Sequence, residues 1–275
     1  MVSSPRLCYI IYKGDDFMWT RKELKISAKD FLREHYWKAF IVCLIFILLT
    51  TTHISTNLTR AEYDFYMEKE GLIFIATNTP IKLENRVFNY IADKTFTTPI
   101  IFIPDGIFWV LSISFILFNI FVGSALEVGK SRFFLDGFRG DVKTKTLWSY
   151  FDFPDEYLKV VKTIFLRNLY ILLWTLLFII PGIMKSFEYR MVPYILANEG
   201  YLSPSETIKR SSEMTTGHKW DIFVLDLSFI LWDILGYLIL GLGGYFVAPY
   251  REATYAKLYE ALSLYDEIDE DLILE

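Results

Sequence analysis

The sequence predicts an all-α, polytopic membrane helical bundle. The simplest form is six transmembrane helices with two amphipathic helices on the cytoplasmic surface, and the alternative is four transmembrane helices. Three observations lead there: an apolar, aromatic composition, a series of apolar runs near bilayer length, and an internal repeat. Of 275 residues, 53% are hydrophobic, 18% aromatic and only 22% charged. Mean hydropathy is positive at +0.31. A net charge of -5 speaks against a basic nucleic-acid binder. Two cysteines, Cys8 and Cys43, exclude a disulfide scaffold or a Cys-rich metal site.

Four runs are apolar enough for a crossing, which needs about 20 residues. They are Trp37–Thr52, Gly106–Leu126, Phe165–Ile180 and Trp220–Leu240. Two more segments are ambiguous because they carry charge: Ile183–Asn198 with Glu188 and Arg190, and Tyr245–Leu262 with Arg251, Glu252 and Lys257. Basic residues favour the cytoplasmic side. Seven Lys and Arg precede the first span and seven lie in 127–163, against five in the longer 53–99 stretch. This places the N-terminus inside, 127–163 inside as a cytoplasmic loop, and 53–99 outside as an extracytoplasmic loop.

The repeat fixes the parity. Thr20–Phe40 and Ser203–Phe223 align without a gap, matching Glu23 with Glu206, His35 with His218, Trp37 with Trp220 and Phe40 with Phe223. Each opens on a capping box, a hydroxyl residue followed three positions later by Glu. Pro204 suits the first helical position and Gly217 can close the second copy. Each copy reads as a surface helix, 18–36 and 203–217, followed by His-x-Trp at the interface and then a span. His35, Trp37, His218 and Trp220 are the interfacial anchors of this reading. Two surface helices on one face require an even number of crossings between them. Ile183–Asn198 then becomes a crossing, and both termini are cytoplasmic. A second echo ends in Pro193-Tyr194 and in Pro249-Tyr250. It marks Pro181-Gly182 and the run Gly241, Gly243, Gly244 as the outer turns of two helical hairpins.

Ionisable groups inside spans are the functional candidates. Asp226 and Asp233 are seven apart and share a helix face. Counting depth at 1.5 Å per residue matches Arg190 with Asp226 and Lys185 with Asp233. These four residues read as ion pairs that lock the bundle, or as a polar path. No His-Glu-x-x-His, Gly-x-Ser-x-Gly or P-loop motif occurs. The reading is therefore non-enzymatic, with no cofactor and no metal. The last ten residues, 266–275, hold six acids and read as an acidic cytoplasmic tail.

Ile180–Ile183, Pro193–Leu196, Gly217–Trp220 and Asp226–Phe229 carry a resemblance. Over roughly Met18 to Leu262, and most specifically in the second half, the chain resembles a bacterial integral-membrane family catalogued as domain of unknown function 975. The resemblance implies a multi-helix bacterial inner (plasma) membrane protein and supplies no activity. Family members open near a Met-Trp-x-Arg motif, here Met18–Arg21. Lys13-Gly14-Asp15 can be encoded by a sequence containing a bacterial ribosome-binding site. Residues 1–17 thus read as an upstream extension before a single integral-membrane domain, 18–265. The expected function is an envelope accessory or interaction protein, the alternative a small-solute or ion transporter. The expected partners are the lipid bilayer and a membrane protein or second copy, with no nucleic acid.

Overall fold

A computed structural model describes residues 19–51, 75–76, 100–101, 105–240 and 243–274. The 1–17 extension, most of the 53–99 loop and Gly241 lie outside the described residues. The chain divides into two compact units: Thr52–Phe118, and Met1–Thr51 together with Asn119–Glu275.

In the smaller unit, β1 (Ile75–Ala76) pairs antiparallel with β2 (Ile100–Ile101), Ile75 facing Ile101. Helix α2 (Asp105–Phe118) follows. Apart from that two-residue pairing, the described elements are helical.

In the larger unit, α1 (Arg21–Thr50) starts at the capping box. Thr20 Oγ1 accepts from the Glu23 amide and the Glu23 carboxylate accepts from the Thr20 amide, both at 3.3 Å. The expected surface helix 18–36 and the span after it are one unbroken helix of 30 residues. The physical reason is the absence of any Gly or Pro from 21 to 50; Glu34 stands where the second copy has Gly217. Leu24, Ala28, Phe31, Leu32, Ala39, Val42 and Cys43 are its buried face, spaced three or four apart.

A π-helical turn, Asn119–Gly123, leads into α3 (Ser124–Phe138). The 127–163 segment, expected as a loop, is therefore mostly helix. After Gly140 at φ +96, a 3-10 helix covers Thr144–Phe151 and α4 covers Pro154–Leu177. Gly129 lets the 3-10 helix close on α3: a Cβ there would lie 2.2 Å from the Leu147 carbonyl oxygen.

The chain reverses at Phe178, whose backbone is extended, and not at Pro181-Gly182. Those two residues sit inside α5 (Ile179–Glu188), where Pro181 falls among the amides that lack an intrahelical acceptor. Gly182 serves the hairpin differently: a Cβ would lie 2.7 Å from the Thr175 Cα. Ile183–Asn198 is not one helix either. Helix α5 stops at Glu188 and α6 (Val192–Asn198) restarts after a turn.

The second capping box holds α7 (Pro204–Met214), with Ser203 accepting from the Glu206 amide. Gly217, at φ +86, then permits the bend before α8 (Lys219–Leu240). Helix α9 covers Gly243–Leu274, so Gly243 and Gly244 open a helix instead of forming a turn. The 266–274 part of the acidic tail is helical backbone.

Phe31, Phe133, Phe134, Met191, Ile195, Leu225, Phe229 and Tyr259 build the main core between α1, α3, α6, α8 and α9. A second cluster, including Val128, Val160, Ile164, Val192 and Ile208, joins α3, α4, α6 and α7. Apolar residues elsewhere are left outside. Leu172, Leu173, Leu176, Leu177, Ile179 and Ile180 are exposed around the α4–α5 reversal, and Ile230, Leu231 and Ile234 on α8. Among the described residues, two helices are long and apolar enough to cross a membrane, Trp109–Phe138 and Pro154–Leu177. Only 22% of the apolar window of each is buried, unlike the core helix of a soluble domain.

Candidate functional site

Five carboxylates of the larger unit, Glu127, Glu188, Asp226, Asp233 and Glu252, each meet a cation from another part of the chain. Helix α3 places Glu127 and Lys130 one turn apart. Arg167 of α4 donates to both Glu127 oxygens, at 2.8 and 3.0 Å. This fork-on-fork geometry fixes direction as well as charge. Lys130 Nζ donates to Glu252 of α9 at 2.5 Å and lies 4.1 Å from the Phe46 ring centroid. The Tyr194 hydroxyl donates to the other Glu252 oxygen at 3.1 Å. One carboxylate thus ties α3, α6 and α9 together.

Arg190, in the turn between α5 and α6, donates to Asp226 of α8 at 2.6 Å. Its guanidinium lies 5.0 Å from the Tyr255 ring centroid. Lys185 and Asp233 are not brought together. Lys185 pairs with Glu188 at 2.5 Å, and Asp233 with Arg251 of α9. Matching by depth failed there because it compared only α8 with the preceding segment. Glu188 lies one turn from Lys185, and α9 returns alongside α8. Glu188 also accepts from Lys219 and from Ser212, while its backbone carbonyl accepts from Ser211 at 2.7 Å and Thr215 at 3.3 Å. Asp226 Oδ1 and Asp233 Oδ1 are buried without a hydrogen-bond partner.

The aromatic and histidine anchors are arranged more simply. Trp37 is 69% and Trp220 72% exposed, each resting on one side against Phe40 or Phe223. His35 packs on Phe31, and His218 lies 5.8 Å from the Trp19 ring. Burial lowers the His218 pKa from its ordinary value, with Asp221 pulling it upward less strongly. Pro181, Gly182, Gly243 and Gly244 shape helix starts, as described above. Among the described residues no group of three or more His, Cys, Asp or Glu is placed to hold a metal ion.

Sequence reasoning missed Glu127 with Arg167 and Lys130 with Glu252. Glu127 directly follows the apolar run ending at Leu126, and Arg167 interrupts the run that begins at Phe165. Charges embedded at the edges of apolar runs were the available signal.

These features define a class: a protein whose described residues are helical apart from one short strand pair, with two helices among them fit to cross a bilayer and a core threaded by ion pairs. Residues 176–265, the segment from the end of α4 into α9, match the family model described as "Protein of unknown function (DUF975)". No curated protein and no solved structure matches the chain.

Proposed function

We propose that the chain is a multi-pass protein of the bacterial inner membrane, without enzymatic activity, that acts as an accessory or interaction protein of the envelope. The observation carrying this reading is the pairing of the internal charges. Glu127, Glu188, Asp226, Asp233 and Glu252 each contact a Lys or Arg. Paired charges hold helices in register; a translocation route needs groups free to exchange partners. Six crossings with both termini cytoplasmic remain the favoured arrangement. One crossing would then consist of α5 and α6 with a break between them. Irregular backbone at membrane depth is tolerated where protein covers it, and Tyr189 and Met191 at that break are buried.

The second reading, a small-solute or ion transporter, draws on the unpartnered oxygens of Asp226 and Asp233. Purified protein in liposomes loaded with a pH-sensitive dye separates the two. The accessory reading expects proton and cation leak equal to that of empty vesicles. Flux above that level, abolished by Asp226→Asn, would refute it.

A further inference from the structure

Lys130, Arg167, Arg190 and Arg251 of the larger unit each meet a carboxylate, whereas the half-buried Lys25 of α1 does not. Arg21, Lys25 and Lys29 stand four residues apart on one face of α1. Among the described residues none of the three has a carboxylate partner. Lys25 Nζ instead donates to the Ser228 hydroxyl of α8 at 2.6 Å and lies 4.9 Å from the Phe229 ring centroid. Lys29 Nζ lies 5.8 Å from the Tyr250 ring centroid. The neighbouring Arg251 is already matched by Asp233. Lys25 and Lys29 thus stand where α1 meets α8 and α9, with Arg21 one turn before Lys25, and among the described residues no carboxylate meets any of the three.

Exposed apolar residues occur on the same three helices, next to the cluster residues in sequence. Ile26 beside Lys25, Leu227 beside Ser228, and Phe246 one turn before Tyr250 are all exposed. A soluble anion would satisfy the cations and leave these side chains in water. A ligand with a phosphate head and acyl chains satisfies both, because lysine stems lie along apolar surface while their ammonium groups reach the head group. We infer that Arg21, Lys25 and Lys29, with Ser228, form a docking surface for the phosphate of an anionic phospholipid. The inference rests on the membrane reading above and deepens it by naming the lipid class.

The test uses the full chain, purified in detergent and exchanged into mixed micelles of equal phosphatidylglycerol and phosphatidylcholine. Native mass spectrometry reads the lipids that stay bound. The wild type retains phosphatidylglycerol preferentially. The Lys25→Gln/Lys29→Gln variant loses roughly fivefold of that preference per lysine, about 25-fold in all. Lys143→Gln, an exposed charge in the turn after α3, keeps it. Should the double variant fail to fold, Arg21→Gln, exposed at the start of α1, should still lose roughly fivefold. A wild type indifferent to lipid charge overturns the proposal, as does an equal loss in Lys143→Gln. Inorganic phosphate that strips the bound phosphatidylglycerol makes the ligand a free anion and also overturns it. Resistance of the protein to alkaline carbonate extraction, read in parallel, separates failure of this site from failure of the membrane reading.

Discussion

Replacing Arg190 by Met and Asp226 by Asn, singly and together, measures what the 2.6 Å pair between the α5–α6 turn and α8 contributes. Met keeps an unbranched apolar stem in place of Arg190 while removing the guanidinium that lies over Tyr255, and Asn keeps the shape of Asp226, so the cycle acts chiefly on charge. Breaking a fully buried pair costs about 3–5 kcal/mol, because the remaining ion has lost its water and its partner. Here the side chains are 30% and 17% exposed, so solvent recovers part of that cost. Discounting for this exposure leaves about 2 kcal/mol for each single variant. The double variant leaves no orphaned ion and should cost about 2–3 kcal/mol where independent effects would sum to about 4. Thermal unfolding in detergent, followed by tryptophan fluorescence, reads the difference. At roughly 2–4 °C per kcal/mol, each single variant should fall about 4–8 °C, and the double variant little further. Losses that add to within about 0.5 kcal/mol would refute the pairing as an energetic link.

Gly129→Ala forces a Cβ against the Leu147 carbonyl oxygen and should cost about 3 kcal/mol, seen as increased proteolysis of the 139–153 connection. Ser203→Ala removes the cap of α7 and should cost about 1 kcal/mol in the same melting assay. Hydrogen bonds from Ser203 lower the Glu206 pKa, so that side chain supports α7 above the ordinary carboxylate value and loses the effect as pH falls through its lowered value. Glu206→Gln should flatten the acid limb of the melting profile. His218 is held neutral by burial, so stability is full above its ordinary value near 6.5 and declines as pH drops below it. His218→Asn should remove that decline below the ordinary histidine value, and an unchanged profile would contradict it.

What could be read from the residues followed the range of the interactions. Both capping boxes and the bend at Gly217 depend on neighbours within four positions, and both were legible. The merging of 18–36 with the first span was also written locally, in the lack of a breaker at Glu34, but the repeat drew attention to likeness and away from that difference. The reversal at Phe178 was obscured because Pro and Gly commonly mark turns. Here Pro181 uses a free helix-start position and Gly182 is needed for close contact with Thr175. Arg190 with Asp226 was legible since the two segments are consecutive. Glu127 with Arg167 and Lys130 with Glu252 were not. A hydropathy run is cut at its first charge, although a charge met by a distant partner lets the helix continue inward.

That last point explains why so many pairs occur together. In water, burial of apolar surface selects which helices pack. In lipid the tails are as apolar as leucine, so that selection weakens, and close packing and polar contacts must choose partners. On the proposed membrane reading, the exposed apolar residues of α4, α5 and α8 would gain nothing by turning inward, since lipid would solvate them. The contacts that distinguish one helix arrangement from another are then Arg167 with Glu127 for α4 and α3, Lys130 with Glu252 for α3 and α9, Arg190 with Asp226 for the α5–α6 turn and α8, and Arg251 with Asp233 for α9 and α8. Each joins segments that are distant or oppositely charged at that level, so a shifted register would leave an ion unpaired. On this argument exchanging the charges of Glu127 and Arg167 together should preserve the fold better than either exchange alone. The doubly exchanged protein melting no higher than the worse single variant would show that position, and not pairing, is what these side chains supply.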